Sequence, residues 1–256
     1  MNQQQTHNIT KNSNSRKFLM RRIRSWMRSP RFYAQKARER IFGIDTTFIQ
    51  KGRESYSPGS FEWLALTEAL YGGVQITKSH IGGDRMSLQQ HGYGPCYADF
   101  LKPFIVAPAF GRLTLVEVGI FKGNGLAVWC DLFPDARVIG MDIDLSNFNE
   151  NRKHLEKMGA FQKNAPEVYL FDQLDAAKAT GVLRDVLRGS CIDIAIDDGC
   201  HSIQSIEITL EAMRPFLAKT FAYFIEDNFD TYDRLAHSHR EYYWTTRREI
   251  TIVTSR

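Results

Sequence analysis

A regular alternation of apolar runs and helical segments, which begins near residue 113, constrains the fold of this chain more than any other feature. Five short strand-like runs alternate with stretches of helical periodicity, and two further β-rich runs follow them. The strand-like runs lie at 113–118, 136–141, 167–171, 191–196, 220–225, 242–246 and 249–254, and the helical stretches at 122–133, 145–158, 174–187 and 202–217. This order predicts an α/β fold in which right-handed βαβ units build a seven-stranded, mostly parallel sheet. The last two runs would form an antiparallel hairpin at its edge.

Charge is distributed unevenly along the 256 residues. Residues 1–43 hold eleven Lys or Arg and a single acid, Glu39, whereas the whole chain carries a net charge of only +4. The rest of the chain is therefore mildly acidic. We predict a basic arm at 1–43, a connector and lid-like helical region at 44–110 with one helix-like run at 61–70, and an α/β domain at 111–256.

The arm begins with a polar, Asn- and Gln-rich stretch that is predicted to be disordered, and it continues as a basic amphipathic segment at 16–42. Such a segment could lie on an anionic membrane surface or bind an acidic partner, and it could equally pack on its own acidic domain or on a second subunit. An Arg-rich, acid-poor N-terminus also fits an organelle transit peptide. Because the basic charge is confined to the arm, nucleic acid is not a predicted partner.

The sequence also bears on the cellular compartment. No stretch approaches the ~18 consecutive apolar residues of a membrane span, and the N-terminus lacks the apolar core of a secretory signal. The four cysteines are widely spread and form no C-x-x-C pair. We therefore predict a cytoplasmic protein, peripheral at a membrane if the arm binds one, and the arm is compatible with a homo-oligomer.

The turn after the first predicted strand carries the pattern E-x-G-x-x-x-G-x-G, from Glu117 through Gly119 and Gly123 to Gly125. It lacks the G-x-G-x-x-G spacing that brings the backbone close to a pyrophosphate, and this disfavours a nicotinamide dinucleotide. Ligands of parallel sheets bind outside the carboxyl ends of the strands. Asp142 ends the second predicted strand, so we expect it in the same crevice as the glycine turn.

Two neighbouring strands are followed by acids. Asp197 and Asp198 follow the fourth predicted strand, with His201 close behind, and Glu226 and Asp227 follow the fifth. Four uncompensated carboxylates would repel one another, and a divalent cation such as Mg²⁺ would relieve this. His201 could then take a proton from a hydroxyl near neutral pH. The alternatives are that Asp197 only caps a helix, that Glu226 pairs with an arginine, and that His201 has no chemical role.

These motifs together resemble the class I S-adenosylmethionine (SAM)-dependent methyltransferases, and among them the metal-dependent sugar O-methyltransferases of the macrocin and mycinamicin type. The resemblance covers roughly residues 78–232, and the segments that carry it are 91–100, 116–144, 171–175, 196–201 and 224–232. It implies a Rossmann-like fold, SAM and Mg²⁺ as cofactors, and methyl transfer to a sugar hydroxyl. The acceptor would be a glycosylated natural product or a surface polysaccharide.

The resemblance also implies roles for individual residues. Those expected to bind SAM are Glu117, Gly119, Gly123, Asp142, Asp172 and Gln173, with Asp142 at the ribose and Asp172 and Gln173 near the adenine. Those expected to bind Mg²⁺ are Asp198, Glu226 and Asp227, and those expected to be catalytic are His201, as the base, and Asp198. The chain departs from the family at Cys200, where serine is expected, and at Asn228, where another ligand would follow. The third metal ligand therefore stays open between Asp197, Glu226 and Asn228.

Two other functions remain open. A methyltransferase of catechol-like acceptors would carry the same residues at its strand ends. A catalytically silent methyltransferase-like protein could act as a scaffold in a glycan-synthesis complex through its basic arm, although retention of the acid cluster argues against this. A carbohydrate ring could stack on one of the available aromatic residues, which include Trp63, Tyr71, Tyr93 and Tyr232.

Overall fold

The computed structural model describes residues 47–72, 84–86, 91–106 and 112–256. These residues fall in one compact unit. The basic arm, including the segment at 16–42 for which a membrane or acidic partner is predicted, lies outside the described residues. Among the described helices, none combines the length and apolar character needed to cross a membrane.

Seven strands form one sheet in the order β3-β2-β1-β4-β5-β7-β6. The strands are β1 (Thr114–Val118), β2 (Arg137–Asp142), β3 (Glu167–Leu170), β4 (Ile192–Asp197), β5 (Leu217–Ile225), β6 (Tyr242–Arg247) and β7 (Ile250–Ser255). The first five strands pair in parallel, whereas β7 runs antiparallel to both β5 and β6. The predicted mostly parallel sheet with a terminal antiparallel hairpin is confirmed.

Eight α-helices are described, and four of them lie within the helical stretches predicted from periodicity. The helices are α1 (Thr47–Arg53), α2 (Phe61–Tyr71), α3 (Gly94–Val106), α4 (Asn124–Leu132), α5 (Ser146–Lys157), α6 (Ala176–Leu187), α7 (Ile203–Met213) and α8 (Thr231–Leu235). Helix α3 was not predicted, because it begins at a glycine and contains Pro103. It buries Tyr97, Leu101 and Phe104, so tertiary packing stabilises it in spite of the proline.

Successive residues of the central strands face opposite layers of helices. Ile139 of β2 belongs to a buried cluster with Leu183 of α6 and Leu210 of α7. The next residue, Gly140, faces the other layer, where a Cβ atom would meet Leu126 of α4 at 2.6 Å. Helix α2 packs against α1, α3 and α4. Burial on both faces explains why the strands read as continuous apolar runs.

Gly181 in the middle of α6 provides a test of helix energetics. A Cβ atom there would meet nothing within 4 Å, so Gly181→Ala is expected to raise the free energy of unfolding by about 0.5–1 kcal/mol. Gly125 in α4 is the matched control, because its Cβ would lie 2.2 Å from Glu117 Oε1. Gly125→Ala should destabilise the protein in the same urea titration, and stabilisation by both substitutions would contradict the packing described.

Arg137 connects β2, β3 and the end of α6. Its Nε and Nη2 donate to the two carboxylate oxygens of Glu167 at 2.8 and 2.7 Å, and the guanidinium also donates to the carbonyls of Val186 and Leu187. The hydrogen bonds from Arg137 lower the pKa of Glu167 to about 2.

The lowered pKa of Glu167 gives an expected pH dependence. Since the folded-state pKa lies below its ordinary value of 4.5, the stabilisation is complete above about pH 4.5 and is lost as the pH falls towards 2. Glu167→Gln should therefore be less stable than the wild type at pH 7, by under about 1 kcal/mol because the carboxylate is half exposed. Urea titrations at several pH values should show this difference shrinking below pH 4.5, and a constant difference would contradict the ion pair.

Candidate functional site

Two glycines shape the turn between β1 and α4. Gly119 has a φ of +86°, and a Cβ atom there would lie 2.0 Å from the carbonyl oxygen of Asp198 at the end of β4. Gly123 has a φ of +77°, and its Cβ would lie 2.4 Å from the ring of Phe148. Only glycine combines this backbone conformation with such close approach. The turn therefore lies directly against the loop that follows β4.

Asp142 lies beside this turn at the end of β2. Its Oδ2 accepts a hydrogen bond from the backbone amide of Phe121 at 2.9 Å, and its Oδ1 accepts one from Asp144 at 3.1 Å. The carboxylate is partly exposed. The structure thus brings Asp142 next to the glycine turn, as its position at the strand end predicted.

Asp172 and Gln173 follow β3 and differ in their surroundings. Asp172 is exposed, and its Oδ1 accepts from the amide of Leu174. Gln173 is buried, donates to Asp197 Oδ1 at 2.7 Å and to Thr209, and accepts from the amide of Cys200. Gln173 therefore ties the end of β3 to the loop after β4, and Asp172 is the one of the pair that faces solvent.

A buried arginine lies among the strand-end acids. Arg85 Nη1 is 2.7 Å from Glu117 Oε1, its Nη2 is 2.6 Å from Asp198 Oδ2, and its Nε is 2.9 Å from Glu226 Oε2. The guanidinium carbon also lies 5.7 Å from the centre of the Trp129 ring, within the range of a cation–π interaction. One side chain thus joins the carboxyl ends of β1, β4 and β5.

Glu117 and Glu226 are the most deeply buried of the three acids that contact Arg85. Their residues are 1% and 2% exposed. Burial raises the pKa of both carboxyl groups, and the charge of Arg85 opposes that shift. The hydroxyl of Tyr97 also donates to Glu226. Both oxygens of Glu226 are therefore engaged by protein groups.

Asp227 is held by a histidine and a tyrosine from the segment before β1. His91 Nδ1 lies 3.0 Å from Asp227 Oδ1 and 3.6 Å from Glu249, its Nε2 lies 3.6 Å from Asp84, and the hydroxyl of Tyr93 donates to Asp227. Hydrogen bonds to Asp227 and Asp84 raise the pKa of His91 to about 11. Burial alone would raise the pKa of Asp227, but the hydrogen bonds from His91 and Tyr93 outweigh it and lower that pKa.

Two groups in the described part of the chain could hold a metal ion, namely Asp198–His201–Asp227 and His91–Asp227–Glu249, each with ligand atoms within 4.8 Å of one another. In the second group the imidazole and the carboxylate are paired with each other, because His91 Nδ1 lies 3.0 Å from Asp227 Oδ1. In the first group, two carboxylates meet an imidazole whose Nδ1 is buried and finds no hydrogen-bond partner among the described residues. This donor set fits a divalent cation, since Mg²⁺ commonly takes one or two carboxylates and completes its shell with water and substrate.

Three non-glycine residues at these strand ends have left-handed backbone conformations. The φ angles are +43° at Phe121, +56° at His201 and +57° at Asp227. Such conformations cost energy and persist only where the surroundings impose them. Asn228 supplies part of that constraint, because its amide donates to the carbonyl of His201 at 2.8 Å. The backbone thus fixes the imidazole and the carboxylate in relation to each other.

The aromatic residues proposed for an acceptor differ sharply in exposure. Trp63, Tyr71 and Tyr93 are buried, whereas Tyr232 is 40% exposed. Phe229 is 66% exposed and follows β5 two residues after Asp227. Two exposed aromatic residues therefore follow the acid cluster in sequence, Phe229 in the loop after β5 and Tyr232 in α8.

Sequence reasoning missed the roles of Arg85 and His91. Arg85 stands between two glycines and a methionine in a stretch without clear periodicity, so no pattern connects it with the sheet. Charge balance was the available signal, because four strand-end carboxylates need cationic partners. Pairing of Glu226 with an arginine was one of the alternatives considered above, but nothing in the sequence indicated which arginine.

Comparisons with known proteins bear on the fold. No family model matches the sequence, and no curated protein matches it. Among solved structures, the chain is similar to MycE, a methyltransferase from the mycinamycin biosynthetic pathway in complex with Mg and SAH, with a TM-score of 0.53 and 17% identity over 75% of this chain and 55% of that chain. A complex of MycE with Mg, SAH and mycinamycin VI gives the same TM-score and identity and is covered over 53% of its length.

The chain therefore spans about half the length of this relative. At 17% identity, this similarity shows the fold alone. The strand order and the antiparallel β7 agree with that conclusion. The described residues therefore adopt a Rossmann-like fold that is similar to the fold of the solved methyltransferase MycE.

Proposed function

We propose that this protein is a SAM-dependent, Mg²⁺-assisted O-methyltransferase that acts on a sugar hydroxyl. The observation that carries the proposal is the Asp198–His201–Asp227 group at the carboxyl edge of a methyltransferase fold, beside the glycine turn. A proton acceptor and two carboxylates in one place are what methyl transfer to a coordinated hydroxyl requires.

SAM would bind over the turn after β1. Gly119 and Gly123 allow the backbone to approach the methionine part, and Asp142 would accept hydrogen bonds from the ribose hydroxyls. Asp172 is exposed after β3 and would lie near the adenine. Glu117 and Gln173, also expected at the cofactor, are buried and bonded within the protein, so we propose that they support these loops from behind.

The reaction needs an oxygen nucleophile and a place for its proton. Asp198 and Asp227 would hold Mg²⁺, which when bound lowers the pKa of a coordinated hydroxyl. His201 accepts the hydroxyl proton as the oxygen forms its bond to the methyl carbon and the bond from that carbon to sulfur breaks. The sulfonium is a good leaving group, so the chain's main task is to align oxygen, methyl and sulfur.

A sugar acceptor agrees with the exposed surface next to the acid cluster. Phe229 and Tyr232 are large, exposed and close in sequence to Asp227, and apolar ring faces can stack on the C–H face of a sugar. The solved MycE complex contains mycinamycin VI, which agrees with an acceptor of the glycosylated natural-product class.

Calorimetry with SAM, Mg²⁺ and EDTA tests this proposal. We expect wild type to bind SAM with and without EDTA, Asp142→Ala to lose most SAM affinity, and Asp198→Asn to lose Mg²⁺ binding while it retains SAM. Absence of SAM binding in the folded wild type would overturn the methyltransferase assignment. Methylation of glycosides, and not of catechols, in an acceptor screen would support the sugar class.

The proton-acceptor role of His201 gives a specific prediction. Asparagine tolerates the left-handed backbone at this position, so His201→Asn should fold, bind SAM normally and lose methyl transfer by about 100-fold or more. Single-turnover assays separate this loss of the chemical step from any change in binding. Unchanged turnover would assign the proton to another acceptor.

A further inference from the structure

The three residues considered as a third metal ligand are all bonded within the protein. Asp197 accepts from Gln173 at 2.7 Å and from Tyr223 at 3.2 Å. Glu226 accepts from Arg85 and from Tyr97 through different oxygens. The side-chain oxygen of Asn228 accepts from the amide of Asp230 and from Thr231, and its NH₂ group donates to His201.

Arg85 is held rigidly in this arrangement. Two of its three carboxylate partners, Glu117 and Glu226, are almost completely buried, and its own carbonyl oxygen accepts from the amide of Tyr93 at 2.9 Å. Its third partner differs, because the Asp198 side chain is 27% exposed and is bonded through Oδ2. A carboxylate fixed through one oxygen can present the other oxygen to an ion.

We infer that Arg85 is a positioning residue for the metal site: it removes Glu226 from coordination and orients Asp198, so that Asp198 and Asp227 hold the cation without a third carboxylate. The inference rests on the proposed function, because it concerns the same site. Partners that orient a metal ligand typically change metal affinity by 10–100-fold when they are replaced. Lysine preserves the charge of Arg85 but has a single ammonium group, which cannot donate to three carboxylates in a fixed planar arrangement.

Calorimetry with Mn²⁺ tests the inference, with wild type and variants compared under conditions in which each is folded to the same extent. Arg85→Lys should weaken Mn²⁺ binding by about tenfold or more, because Asp198 loses the planar donor that orients its carboxylate. Glu226→Gln should change the affinity by less than about threefold, since it removes a charge and not a ligand. Arg137→Lys is the matched control, because Arg137 also pairs with a carboxylate through two nitrogens but lies outside the acid cluster, so Mn²⁺ affinity should stay unchanged.

Several results would overturn the inference. A tenfold loss in Glu226→Gln would make Glu226 a ligand, and unchanged affinity in Arg85→Lys would deny Arg85 a positioning role. If Arg85→Lys does not fold, Glu226→Gln decides, because glutamine keeps the shape of the side chain, can accept from Arg85 through its oxygen and can donate to the Tyr97 hydroxyl through its NH₂ group. A wild type that binds SAM but no Mn²⁺ defeats this inference and the metal mechanism alone, whereas a wild type that binds neither defeats the proposed function as a whole.

Discussion

Arg85→Leu is expected to lower the free energy of unfolding by about 3–5 kcal/mol, because it leaves buried carboxylates without their cation. Glu117 and Glu226 lie almost out of contact with water, so hydration cannot replace the lost partner. Equilibrium urea unfolding followed by circular dichroism measures the change. For a chain of this size, a loss of this order is a large fraction of the total stability.

Arg152 provides the control for this substitution. It forms an ion pair of 2.9 Å with Glu156 in α5, and both side chains are 46% exposed. Arg152→Leu should therefore change the free energy of unfolding by less than about 0.5 kcal/mol. Equal effects at the two arginines would contradict the buried cluster described around Arg85.

Gly119→Ala is expected to lower the free energy of unfolding by about 3 kcal/mol and to abolish SAM binding. The added methyl group would lie 2.0 Å from the backbone carbonyl of Asp198, and backbone cannot rotate aside as a side chain can. The turn after β1 and the loop after β4 would have to separate, and the cofactor is proposed to bind across them. Urea unfolding and calorimetry with SAM measure the two effects separately.

Gly189 separates the steric effect from the backbone effect. Its φ of +88° is close to the +86° of Gly119, but a Cβ atom there would meet nothing within 4 Å. Gly189→Ala should lower the free energy of unfolding by about 1–2 kcal/mol, the cost of a left-handed backbone for a residue with a Cβ atom, and leave SAM binding intact. If Gly119→Ala and Gly189→Ala lower the free energy of unfolding equally, the close approach to Asp198 does not contribute to the effect.

The sheet could be predicted from the sequence because each central strand is buried on both faces. An apolar run ending in an acid or a glycine marks β1, β2, β4 and β5 without knowledge of their partners. Helix α3 could not be predicted in this way, since its stability comes from residues such as Tyr97 that pack against other elements. Intrinsic helix propensity argues against a helix at this position, because Pro103 lies inside it.

The candidate site was only partly predictable for a similar reason. Topology places Asp142, Asp198, His201 and Asp227 at one edge of the sheet, and the structure brings the last three together. Which carboxylates remain available to a ligand depends instead on Arg85, a side chain that belongs to no periodic pattern. Sequence reasoning identifies where acids gather but not which of them a distant cation neutralises.

The contacts of Arg85 also have a consequence for synthesis of the protein on the ribosome. Its partners Asp198 and Glu226 lie 113 and 141 residues further along the chain. At about 5–20 residues per second, Arg85 leaves the ribosome on the order of 10 s before Glu226 does. Throughout that interval Arg85 lacks at least one of the carboxylates that surround it in the folded protein. Closure of the acid cluster is therefore expected among the last events of folding, after β5 has joined the sheet.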